Sequence, residues 1–170
     1  MTDQNLEDVM RRLKELEQWR DRSKTEVPIY ATGTFQPSLA GSGTPGTFTY
    51  SANARSVNWT RIGNRVLFNG RIQISAITGA PVGAMLITGF PATITPANTG
   101  FGAPGGADFG LWTANLPAGY TQFAGQFTDG STNLLLIRNG DNVAPASVDG
   151  AEIVLVGGVA DFRFKGEYQI

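Results

Sequence analysis

The sequence predicts a mainly β protein, an antiparallel β-sandwich head over residues 28–170 carried on a short N-terminal α-helical coiled coil over residues 1–27. Three observations predict it. A heptad stripe of apolar residues runs through the first helix-like segment. Composition changes abruptly after Pro28: thirteen of the first 26 residues are charged, against fourteen in residues 27–170. From there on, short runs with period-two alternation are separated by turn residues, at the spacing of sandwiches and barrels.

Thr2 or Asp3 can cap the helix, and its early acids suit the positive end of the helix dipole. With Leu6 and Leu13 at heptad position a, Val9 and Leu16 fall at d, giving a stripe narrow enough to pack on copies of itself. Leucine at a with β-branched Val9 at d leans away from dimers. Arg12 at g lies five residues before Glu17 at e, the spacing at which a cation meets a carboxylate on the neighbouring helix. The order also resembles the trimerisation motif of short three-stranded coiled coils. A parallel homotrimer is therefore expected, with Leu6, Val9, Arg12, Leu13, Leu16 and Glu17 as its trimerisation residues. The stripe decays into Arg20 and Ser23 before Val27-Pro28 ends the helix, so the β part must share the interface.

Ile29 to Phe35 reads as the first strand. Gly41-Ser-Gly-Thr-Pro-Gly46 has the glycine spacing of a dinucleotide-binding loop but opens no helix, so it is a turn. A hairpin follows, with Gly63-Asn64 at its turn. Its return strand puts Val66, Phe68, Gly70, Ile72 and Ile74 on a core face. Ala84 to Phe90 is a strand, and residues 96–107, rich in glycine and proline, read as a long loop. Leu111 to Ala114 and Tyr120 to Thr128 resume the strand pattern. Leu134 to Ile137 and Ile153 to Val156 are apolar at every position, as strands covered on both faces are. In the last strand Phe162, Phe164, Gly166, Tyr168 and Ile170 face a core, while Asp161, Arg163, Lys165, Glu167 and Gln169 meet water. Their alternating signs also discourage edge-to-edge aggregation.

With neither cysteine nor histidine, the chain lacks thiolate chemistry, the commonest metal ligand and the usual general base. A net charge of −1 without a basic patch argues against nucleic acid as a partner, and none is expected. The apolar stretch from Ile72 to Ile94 holds Gly79, Pro81, Gly83, Gly89 and Pro91, so membrane insertion is not expected. From Ile72 to Ala107 there is no charged residue, which suits either subunit contact or a neutral receptor.

Residues 50–51 (Tyr-Ser), 59–72 (Trp-Thr-Arg-Ile-Gly-Asn-Arg-Val-Leu-Phe-Asn-Gly-Arg-Ile), 87–91 (Ile-Thr-Gly-Phe-Pro) and 164–168 (Phe-Lys-Gly-Glu-Tyr) resemble the C-terminal head domain of tailed-bacteriophage fibre and spike proteins. The opening Gly-Thr-Phe-Gln-Pro-Ser-Leu (33–39) is similar to the start of that domain. The resemblance implies a trimeric β-sandwich of jelly-roll type in a virion assembled in the bacterial cytoplasm. It also implies contact with host cell-surface polysaccharide or protein, and another virion protein at the N-terminal helix. The alternative is a structural decoration of capsid, collar or tail without a receptor role. No transferable binding site follows, because such heads vary most in their loops.

Hydrolysis of a polysaccharide needs two carboxylates at fixed distance, and the acids beyond the helix fall in turns or on an outer strand face, so no enzyme is expected. No catalytic residue, cofactor or metal site is assigned. Sugar binding needs an aromatic plane with polar partners, which nominates Phe101, Trp112, Tyr120 and Tyr50, joined by Asp129, Asp141 and Asn142. The 96–107 loop is the first expected contact region and the 139–149 loop the second.

Overall fold

The computed structural model describes residues 8–18, 30–91, 105–113, 116–127 and 130–170. Residues 8–18 are helical, and Val9, Leu13 and Leu16 are exposed on the single chain, each about half accessible or more. Arg12 and Glu17 are exposed too, Arg12 lying 3.9 Å from Asp8 on its own helix. Leu6 lies outside the described residues.

The rest is mainly antiparallel β-sheet. Its strands are β1 (Tyr30–Phe35), β2 (Ser38–Gly41), β3 (Thr47–Ile62), β4 (Arg65–Gly79), β5 (Met85–Thr88), β6 (Gly105–Leu111), β7 (Gln122–Phe127), β8 (Leu134–Gly140), β9 (Val143–Ser147) and β10 (Ala160–Gln169). They form one ladder in the order β1-β3-β4-β10-β6-β7-β8-β5-β2, with β9 on β8. The jelly roll expected from the resemblance has two separate sheets; here a single ladder folds over on itself. Phe68 on β4 and Phe127 on β7 stand three strands apart, about 14 Å in a flat sheet, yet their ring centroids are 5.7 Å apart. Only Gln36 and Pro37 join β1 to β2, so the two ends of the ladder lie within about 10 Å of each other.

The β3–β4 hairpin forms as its alternation predicts. Gly63, with φ of 62°, supplies the positive first position of its two-residue turn. Val66, Phe68, Ile72 and Ile74 are all buried. Phe68 sits at the centre of the core, with the rings of Phe90, Phe127, Phe164 and Tyr168 at 5.0, 5.7, 6.2 and 6.0 Å.

Four expectations are corrected. Residues 105–107 are not loop but the start of β6, and Leu111 is its end rather than the start of a strand. Residues 143–147 are a strand, β9, within the region read as a loop. Ile153 to Val156 is not a strand. It follows a 3₁₀ turn (Gly150–Glu152), Ile153 alone of the four is buried, and Val156 makes an isolated bridge to Val159. Finally, β10 is no edge: it lies between β4 and β6, and Asp161 on its outer face is buried rather than in water.

Candidate functional site

In an antiparallel ladder, residues directly opposite each other share a face. The outer face of β3, β4, β10 and β6 therefore carries Ser56 and Asn58, Asn69 and Arg71, Asp161, Arg163, Lys165 and Glu167, and Asp108. The outer face of β7, β8, β5 and β2 carries Gln122, Ala124 and Gln126, Leu135 and Ile137, Leu86 and Ala40, with no charge among them. The charges of these two outer faces are thus gathered on one layer, while Arg138 of β8 points to the opposite face of its strand. Leu135 and Ile137, expected to be covered on both faces, are half-buried on that second, uncharged surface.

On the charged layer, short side chains between long ones leave a groove of about 460 Å³, lined by Ser56, Asn58, Asn69, Arg71, Arg163 and Lys165. Gly70 and Gly110 contribute only backbone to it. A second hollow of 440 Å³ shares Asn58, Asn69 and Lys165 and reaches Asp108 and Glu167. Asn58 and Asn69 face each other across the β3–β4 ladder with their amides 3.5 Å apart. Lys165 stands opposite Asp108 in register, and no ion pair among the described residues holds it.

One wall is fixed by a charge cluster. Arg71 donates from Nε and Nη2 to the two oxygens of Asp161 at 3.0 and 2.8 Å, and Arg163 Nη2 donates to the same carboxylate at 3.3 Å. The Asp161 backbone N–H donates to Thr113 Oγ1 at 2.6 Å. The Arg71 hydrogen bond, against partial burial and aided by the charges of Arg71 and Arg163, holds the Asp161 carboxyl below the usual carboxylate range. The same contact raises Arg71. A carboxyl with a depressed folded pKa stabilises above its unfolded value, about pH 4, and loses that contribution as pH falls through the folded value. Asp161→Asn is therefore expected to cost about 1 kcal/mol at neutral pH, Arg71 being 40% exposed. The gap from the parent should close below about pH 4 in melting temperatures taken from pH 7 to pH 2.

The described residues among those expected from sequence gather at one end of the sheet. Trp112, Tyr120, Asp141 and Asn142 lie at the end remote from Tyr30, beside the β8–β9 hairpin and the end of β6. Phe101 and Asp129 are outside the described residues.

The aromatic candidates have partners within the chain. Trp112 stacks on Phe123 with centroids 6.0 Å apart and planes 19° apart. Tyr120 has the Arg138 guanidinium 4.7 Å over its ring and donates its hydroxyl to the Ala144 carbonyl at 3.3 Å. Tyr50 accepts from the Leu39 N–H at 2.9 Å beneath the Arg55 guanidinium. Asp141 and Asn142 form an exposed hairpin turn, Asn142 at φ of 60°.

Arg138 is mostly buried and pairs with Glu152, whose other oxygen accepts the Asp149 N–H in a capping box. The groove itself was not nominated from sequence. Its residues read as polar positions of three strand runs, and nothing local indicates that β10 pairs with β4 about 90 residues away.

Among the described residues no cluster of His, Cys, Asp or Glu could hold a metal ion, and no helix is long and apolar enough to cross a membrane. No known family matches the sequence, and no curated protein matches it. Among solved structures the fold is similar to that of a tailspike, with a TM-score of 0.65. That structure is the Dettilon tailspike protein (gp208), which is 19% identical, and the match covers 82% of this chain and 24% of that one. The chain thus spans about a quarter of the tailspike's length, and at this identity the likeness shows the fold alone.

Proposed function

We propose that the chain is a bacteriophage tail-fibre or tailspike component, a homotrimer whose β head recognises the host surface, with glycan as the ligand class. The likeness to a tailspike fold carries this reading. The exposed Val9, Leu13 and Leu16 stripe supports self-association, and the Asn-lined groove supports glycan contact, because paired amides match the donors and acceptors of sugar hydroxyls.

The test is adsorption of purified protein to intact cells of a bacterial strain panel, read as protein depleted from the supernatant. The parent is expected to adsorb to at least one strain. Asn58→Ala with Asn69→Ala should weaken adsorption about tenfold or more, whereas Tyr120→Ala should leave it within about twofold once folding is verified. Adsorption by neither parent nor variant, to any strain, would favour a structural decoration of the virion instead.

A further inference from the structure

We infer that the groove takes a glycan bearing an oxyanionic substituent, bound at the end walled by Arg163 and Lys165. The inference rests on the glycan reading above and adds the charge of the ligand.

The chain as a whole is nearly neutral, at −1, yet this groove is lined by three cations and no acid. One of them is committed. Arg71 gives two donors to Asp161, whose side chain is only 10% exposed and so presents little negative charge to the groove. Arg163 gives Asp161 a single long hydrogen bond through one Nη2, and the rest of its guanidinium fork stays available. Lys165 is exposed, and no ion pair among the described residues holds it despite Asp108 opposite.

Arg163 and Lys165 are two residues apart on one strand, so their side chains leave the same face about 7 Å apart. That spacing lets both reach one oxyanion or two on adjacent sugars. Ser56, Asn58 and Asn69 supply neutral hydroxyl and amide groups at the other wall, suited to the uncharged part of the ring. The face carries both signs, but Asp161 is covered and Asp108 and Glu167 line the neighbouring hollow, which shares Lys165, so the groove itself keeps an excess of cations.

Uronic-acid carboxylates, sulfates and phosphodiesters share this chemistry, and matched polymers distinguish them. The full chain is passed over polygalacturonate and its methyl ester, dextran sulfate and dextran, a phosphomannan and mannan, and a single-stranded DNA oligonucleotide. The expected result is retention by at least one charged polymer and not by its neutral counterpart. Arg163→Gln with Lys165→Gln should weaken it about tenfold or more, as should raising NaCl from about 0.05 M to about 0.5 M. Lys14→Gln, which removes a cation from the exposed face of the helix, should not change it.

Equal retention by neutral partners, dependent on Asn58 and Asn69, would overturn the charge assignment and leave the glycan reading standing. DNA held as tightly as the best polymer would overturn it in favour of general polyanion binding. Retention by no polysaccharide overturns the inference. If cell adsorption persists, the host-surface reading survives with a protein receptor.

Discussion

Phe68→Ala is expected to destabilise the β domain by about 4 kcal/mol, lowering its melting temperature by roughly 12 °C. The side chain is 4% exposed and lies between the two layers, touching rings contributed by β7, by β10 and by Phe90 in the segment after β5. Removing it opens a cavity bounded by other aromatics, which are too stiff to collapse into the space. Phe68→Leu keeps most of the volume and should lose less than half as much. Thermal melts of parent and both variants at one pH check this. A loss under about 1 kcal/mol for Phe68→Ala would mean that the layers do not close over this ring as described.

The second large effect is expected at Arg138. Its pair with Glu152 is mostly buried, at 17% and 13% side-chain exposure, so Arg138→Ala leaves a carboxylate desolvated and unpaired. It also uncovers the Tyr120 ring and releases the tip around β8 and β9. A loss of about 3 kcal/mol is expected, close to that of Glu152→Ala, which removes the capping box as well. Combining the two should cost clearly less than their sum, because each single change already strands the other partner. Denaturant midpoints for the four chains complete the cycle, and strict additivity would show that the pair contributes nothing.

Elements whose signal is local could be read from the residues alone. The β3–β4 hairpin follows from strict alternation around Gly63-Asn64, and the core face of β10 from Phe162, Phe164 and Tyr168. What failed was non-local. Gly105 and Gly106 carry the propensity of a loop, but a Cβ on Gly105 would lie 2.2 Å from the Glu167 carbonyl, and one on Gly166 2.0 Å from that of Gly106. The glycines are there because β6 and β10 approach too closely for side chains, and that partner is about 60 residues away. Asp161 reads as a solvent-facing position until β4 brings Arg71 beside it. Ile153 to Val156 is as apolar as β8 but lacks a neighbouring strand, and apolar runs alone do not separate the two cases. The groove is illegible for the same reason: it exists only where β3, β4, β10 and β6 meet. The unnominated Asn58, Asn69, Arg163 and Lys165 define it, while the nominated Trp112 and Tyr120 are occupied in packing.

The place of β10 has a consequence for biosynthesis. Residues 160–169 are translated after every other described strand, yet they fill the slot between β4 and β6. Until they leave the ribosome, the nascent chain holds two unsatisfied strand borders that invite pairing with other chains. The sheet can be completed only once residues 160–169 have emerged, so messages interrupted before this point yield sticky fragments rather than shortened but folded domains.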